Sequence, residues 1–238
     1  MDGSEAVQVS YKILNPRASV YRKLLNIAFT GFNVLRPLGR SNLGLSCGIF
    51  GNGFGLSKKM IEQVPFKANS IVEDLEYHIN LVEANYKVDF IHSSSVFGEM
   101  PISFKTAGSQ RVRWEGGRFR MIRKFAPNLF LKVLQGEFRL TEPLLDLLLL
   151  PLSYHAFFLF ILLFLSGFFQ YYAMIGIGIV TLYLVVSCWL GKCLQDLPLL
   201  LLSPLYIVWK ILITRKIFTG SKKNFDWIRT KRENENKH

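Results

Sequence analysis

From Leu144 onward the chain is dominated by apolar residues, and this limits what it can fold into more than any other feature. Leu144–Phe169 holds one acidic residue, Asp146, and one histidine, His155. A helix of that length covers the roughly 30 Å of a bilayer's hydrocarbon. Tyr171–Leu190 has no charged residue and makes a second span. Phe168, Phe169, Tyr171 and Tyr172 around Gln170 suit an aromatic-lined turn at the far interface. The third run, Leu197–Ile213, is shorter and contains Pro204 and Lys210, so an interfacial or re-entrant helix is expected there. The tail beyond it is rich in Lys and Arg, which assigns it to the cytosolic side. Two full spans return the chain to the side it left, so a multi-pass protein of the cell membrane with both ends cytosolic is expected.

Charge separates the possible partners of the remaining residues. A net charge of +12 and a pI near 9.7 suit nucleic acid or an anionic membrane surface. The apolar runs favour membrane lipid, and no zinc-finger spacing or nucleic-acid motif accompanies the basic residues. Cys47, Cys188 and Cys193 are odd in number and form no disulfide framework. His78 and His92 have no companion at metal-ligand spacing. Residues 1–12 lack the apolar core of a signal peptide.

The first 143 residues read as mixed α/β. Val7 and Val9 alternate with Gln8 and Ser10, as in a half-buried strand. Ser19 suits the N-cap of a helix to about Val34, broken by Arg36-Pro37-Leu38-Gly39-Arg40. Gly44, Gly48, Gly51, Gly53 and Gly55 make a glycine-dense segment without a P-loop lysine arrangement. Ser57 suits the cap of a short helix ending before Pro65. Ser70-Ile71-Val72-Glu73 reads as a capping box, with Leu75, Ile79 and Val82 continuing at helical spacing to about Glu83. Val88, Phe90 and Ile91 suggest a short strand, and Ser93-Ser94-Ser95 a loop.

A further helix is expected from Thr106 to Met121, with Gln110, Arg113 and Trp114 at i, i+3 and i+4 on one face. An amide, a bidentate guanidinium and a large ring suit a diphosphate beside a sugar. The same pattern also fits a basic amphipathic helix lying on a membrane with Trp114 as its anchor. Arg111 and Glu115 are spaced to form an i,i+4 pair. Arg118, Arg120, Arg123 and Lys124 extend a basic surface toward the bilayer.

Taken in order, Cys47-Gly48, Gly51-Asn52-Gly53, Glu73-Asp74 and Gln110-x-x-Arg113-Trp114-Glu115-Gly116-Gly117-Arg118, ahead of membrane helices, resemble processive-type family 2 glycosyltransferases. That group includes cellulose, chitin and hyaluronan synthases. The resemblance implies the C-terminal part of a GT-A (Rossmann-like) domain followed by transmembrane α-helices. It implies that Asp74 is the general base, and that Cys47, Gly48, Asn52, Glu73, Gln110, Arg113 and Trp114 line the substrate site. Val72 stands where the family usually has threonine. Trp227-Ile228-Arg229-Thr230-Lys231-Arg232 resembles the endings of membrane glycosyltransferases of this branch, and also fits a membrane tether.

The divisions implied are 1–125 for the acceptor side of the catalytic domain, 126–143 for an interfacial linker, 144–213 for the membrane region and 214–238 for a basic cytosolic tail. The family holds Mg²⁺ or Mn²⁺ through an Asp-x-Asp motif in its N-terminal half. This sequence has no Asp-x-Asp. Transfer from a nucleotide sugar, a UDP-sugar, to a saccharide or lipid acceptor is therefore not expected of this chain without that half. The chain is expected to be a truncated enzyme, one of two polypeptides of a split enzyme whose partner supplies the N-terminal half, or the remnant of a broken gene. The alternative is a non-catalytic membrane protein derived from such an enzyme, acting in binding or assembly.

Overall fold

The computed structural model describes residues 3–67, 70, 72–101 and 103–222. The Trp227–Arg232 segment and Ile71 lie outside the described residues. Three strands form one sheet in the order β2-β1-β3: β1 (Ala6–Ile13), β2 (Phe54–Leu56) and β3 (Val88–Gly98). β1 pairs antiparallel with β2 and parallel with β3. β3 runs straight through the serines expected to form a loop. It stays in the sheet by a shift of register, Val9 facing Ile91 but Ser10 facing Ser95, which sets aside His92, Ser93 and Ser94 as a bulge.

Burial on β1 is the reverse of what its alternation suggests. Gln8 and Ser10 are fully buried, while Val7 and Val9 are only partly so. Their polar groups are satisfied, Gln8 by a neighbouring loop and Ser10 by His92, and satisfied polar groups bury at little cost.

Ser19 caps α1 (Val20–Thr30), its hydroxyl accepting from the Arg22 amide at 3.1 Å. The helix does not stop at Arg36–Arg40 as expected. It passes through a π-helical turn, Gly31–Leu35, into α2 (Arg36–Asn42). The changed register brings Pro37 to the first turn of α2, where its missing N–H breaks no helical bond. Ser57 caps α3 (Lys58–Gln63) through the Met60 amide at 3.1 Å. α4 (Glu73–Glu83) begins at Val72 without a side-chain cap, so the Ser70–Glu73 capping box does not form.

α5 (Phe104–Leu134) is a single helix of 31 residues, longer than expected because it carries on past Pro127. α6 (Thr141–Leu148) follows after one short turn. Leu140, Leu144 and Leu147 pack with Met121 and Leu129 of α5 and with Ile79 and Val82 of α4. A second cluster joins Ala6, Cys47, Met60, Tyr77, Leu81 and Val88 beneath the sheet.

The apolar region departs from expectation in two places. Leu144–Phe169 is not one helix: α6 and α7 (Leu152–Leu162) meet at a 77° bend. Pro151 is the N-cap of α7, and Asp146 of α6 is held by three arginines. Arg36 Nη1 lies 2.7 Å and Arg40 Nη1 3.3 Å from its carboxylate, with Arg118 Nη2 at 3.8 Å. Arg118 is therefore inside the protein, not on a membrane-facing surface.

α8 (Phe168–Leu190) is long and apolar enough to cross a membrane. So is the helical stretch Leu194–Thr214, a 3-10 segment running into α9 (Ser203–Lys222), although its apolar run looked too short in sequence. If the bent pair counts as one span, there are three candidates among the described residues. α8 crosses the π-helical turn at Gly31, where an added Cβ would lie 2.5 Å from Tyr183 Oη.

Candidate active site

The glycine-dense loop is shaped by one side chain of β1. Gln8 Nε2 donates to the carbonyls of Asn52 at 2.7 Å, Val9 at 2.9 Å and Gly53 at 3.2 Å. Its Oε1 accepts from the Phe50 amide at 3.0 Å. Gly53, at φ +70°, packs so tightly that a Cβ would come 2.5 Å from Val96 Cγ2. Gly51, at φ +77°, passes over the start of α4, where a Cβ would sit 3.5 Å from Asp74 Oδ2. Only glycine meets both demands without strain. The Asn52 side chain lies near the Tyr11 hydroxyl, which burial pushes above its usual range. Gly48 enters the loop at φ +96°. Cys47 faces the other way: it is fully buried in the core, its Sγ donates to the Gly48 carbonyl at 3.3 Å, and burial pushes the thiol up to about 12.

Asp74 is the second residue of α4, and its Oδ1 accepts from the Leu75 amide at 2.9 Å. Burial raises its carboxyl to about 6; the Leu75 bond opposes the rise and neighbouring Glu73 adds to it. It is thus ionised at neutral pH yet holds a proton better than an ordinary aspartate. Glu73 is exposed. Glu76 pairs with Lys124 at 2.6 Å. His78 points inward to Ser46, Nε2 to Oγ 2.9 Å, and burial lowers it to about 4, so it stays neutral.

α5 reaches this place because of Gly117. A Cβ there would come 2.8 Å from Val72 Cγ1, two residues before Asp74. Gln110, Arg113, Trp114 and Gly117 share one face of the helix. Trp114 packs into the cluster of Ile13, Tyr21, Leu25, Met100 and Ala107, beside Tyr11 and Phe29. Arg111 lies 5.7 Å over the Trp114 ring and hydrogen-bonds to Tyr21. Glu115 does not close the expected pair with Arg111; its carboxylate bonds to Lys210 of α9. Gln110 and Arg113 are half-buried, and Arg113 makes no ion pair among the described residues.

Gly51 thus lies over Asp74 and Gly117 against Val72, while Tyr11 and Trp114 pack on one apolar cluster and the Cys47 thiol is turned into the core. Gln8, Tyr11 and Gly117 shape these contacts; Gly117 stood within the motif run, while Gln8 and Tyr11 carried little sequence signal. A glutamine inside an alternating strand and a Gly-Gly pair inside a helix were the available hints. The Mg²⁺ or Mn²⁺ expected of the family does not fit the residues here. Among the described residues, no three His, Cys, Asp or Glu side chains come together to hold an ion.

Two comparisons with known proteins bear on the family of the chain. The chain is 23% identical over 126 residues to the probable glycosyltransferase YdaM of Bacillus subtilis. That match covers 52% of this chain and 30% of the length of YdaM. The model of glycosyl transferase family group 2 matches residues 8–190. It runs from the glutamine that holds the loop, through Asp74 and the Gln110–Trp114 helix, to the end of α8; the chain belongs to glycosyl transferase family group 2.

Proposed function

We propose that the chain is the acceptor-side and membrane part of an inverting, processive-type glycosyltransferase, transferring a sugar from a UDP-sugar to a saccharide or lipid acceptor. One observation carries this reading: the Asp74 carboxylate, raised to about 6 by burial, lies beneath Gly51 at the place where Gly117 brings α5 against α4. Asp74 accepts a hydrogen bond from the acceptor hydroxyl and takes its proton as the oxygen attacks the anomeric carbon. The bond from that carbon to the phosphate oxygen breaks, and UDP leaves with the electron pair. Attack opposite the leaving group inverts the centre, and no covalent enzyme intermediate forms.

Arg113, free of ion pairs among the described residues, offers its fork to the diphosphate. Trp114 stacks on the acceptor sugar. Gln110 and Asn52 supply amides, and Gly48 contributes backbone that a ligand can approach. Cys47 acts through the position of that backbone, since its thiol is in the core. The metal-binding half must come from an Asp-x-Asp segment not contained in this sequence, so no step here is routed through a metal. A second reading, a non-catalytic binding or assembly protein, is favoured by that missing motif.

The membrane part enters this reading as an α7–α8 hairpin. α7 rises only about 16 Å, so the bent α6–α7 pair completes the outward pass and α8 the return. Leu194–Thr214 lies along α5, tied to it by Lys210 and Glu115, and stays at the interface. Both ends are then cytosolic; a reporter after His238 reading out on the external face would reject that topology.

The test supplies an Asp-x-Asp half by co-expression or fusion. Asp74→Asn should reduce turnover by roughly 10²–10⁴-fold with donor affinity little changed, and Arg113→Lys should weaken UDP binding. Near-normal turnover in Asp74→Asn would overturn the base assignment. Mn²⁺-dependent transfer by this polypeptide alone would overturn the need for a second half.

A further inference from the structure

Between Leu144 and Ile213 the sequence has four charged residues: Asp146, Lys192, Asp196 and Lys210. Three are neutralised by residues outside that region. Asp146 binds Arg36, Arg40 and Arg118; Asp196 Oδ1 lies 3.7 Å from Lys23 Nζ; Lys210 bonds to Glu115. Lys192 is the exception. It is exposed and makes no ion pair among the described residues.

Its setting is concave. Lys192, Trp189, Leu190 and Leu194 line an open cleft of about 480 Å³ at the C-terminal end of α8, and His92 of the β3 bulge lines it too. Most of the lining is apolar, and Trp189 is 65% exposed. The His92 Nδ1 lies 3.4 Å from Ser10 Oγ, so Nε2 is the ring nitrogen left to meet a ligand. Lys192 also occupies a left-handed backbone position, φ +51°, after the helix end. Glycine is the usual residue there, and a lysine is the costlier choice unless its side chain is used.

We propose that this cleft binds the phosphate head of an anionic phospholipid. Lys192 is the counter-ion, His92 donates a hydrogen bond to the phosphate, and Trp189 and Leu194 lie along the first methylenes of an acyl chain. The site rests on the reading of α8 as a membrane span. Two features select a lipid over a soluble phosphate. The cleft opens beside the exposed apolar surface of α8, where Leu182 and Val185 continue the face of Trp189. A tryptophan at a span's end is also the residue type enriched at lipid headgroups. A single basic side chain near an anionic bilayer surface is worth about fivefold in lipid preference.

The experiment reconstitutes the full chain in phosphatidylcholine bilayers. Tryptophan quenching by dibrominated phosphatidylglycerol is compared with quenching by dibrominated phosphatidylcholine at equal mole fraction. The expected result is stronger quenching by the glycerol lipid, with a preference of about fivefold that Lys192→Gln removes. Trp189→Phe should abolish that extra quenching. Equal quenching by both lipids, or a preference that survives Lys192→Gln, would overturn the site while leaving α8 in the membrane. No Trp189-dependent quenching by either lipid would overturn the membrane reading itself. Displacement of the effect by inorganic phosphate would identify a soluble-phosphate site and overturn the lipid one.

Discussion

Replacing Asp74 with asparagine should make the protein more stable at neutral pH, and the sign of that effect separates two roles for the residue. Burial raises its carboxyl from 3.8 to about 6. A raised carboxyl stabilises the fold below the unfolded value, near 4, and that contribution is lost as pH rises through about 6. Asparagine does not titrate, and its Oδ1 still accepts from the Leu75 amide, which now lies 2.9 Å from the aspartate. Two pKa units correspond to about 3 kcal/mol. Asp74 keeps some contact with solvent, so a gain of about 1–3 kcal/mol is expected above pH 7. That is roughly 2–12 °C in unfolding temperature for a chain of this size. At pH 4 parent and variant should nearly coincide. A surface charge that favours the positive end of α4 predicts the opposite, a loss of about 0.3–1 kcal/mol on removal. Thermal unfolding of both proteins in one detergent, from pH 4 to pH 8, decides between them. A variant less stable than the parent at pH 7.5, or a difference that does not change with pH, would refute the reasoning.

Other substitutions test how the site is held. Lys210→Met leaves the Glu115 carboxylate buried without a partner and should cost about 3–5 kcal/mol, most of it recovered by adding Glu115→Gln; simple additivity in this cycle would refute the coupling. Gly117→Val drives a branched side chain into Val72, so it should lose about 1–3 kcal/mol and weaken UDP binding once the missing half is supplied; unchanged UDP affinity would separate that contact from the site. Gln8→Leu orphans the Phe50 amide and should speed hydrogen exchange across residues 50–53, while unchanged protection would show that the loop stands without it.

The parts of the fold governed by local chemistry were legible in the sequence. The Ser19 and Ser57 caps and the end of α4 lie where propensity puts them, because a cap needs only residues within one turn. Features set by distant partners were not. The reversed burial of β1 depends on Gln8 meeting a loop more than forty residues away. The bend before α7 places Asp146 among arginines from α2 and α5, none of which a hydropathy window sees. The same holds for the site. Asp74, Trp114 and Gly117 stood out through motif spacing, but the contact of Gly117 with Val72 beside Asp74 exists only in three dimensions. Cys47 stood in the motif, yet its side chain serves the core.

The ion pairs also bear on what the apolar region does. α5 carries Arg113 and Trp114, and it is held along its length by other elements. Lys210 of α9 grips it at Glu115, Asp146 of α6 at Arg118, and α4 at Gly117 and Lys124. Glu83 of α4 holds it again at Lys132, 2.8 Å away. Two of these grips come from helices of the apolar region, and both fall within four residues of Trp114. A tilt or shift of those helices would therefore be transmitted to the Arg113–Trp114 face through buried ion pairs, which break at high cost and do not stretch. A membrane anchor joined by a flexible linker would leave the site indifferent to its surroundings. Here α6 and α9 support α5 directly, so the packing of the apolar region helps to set the position of the Arg113–Trp114 face.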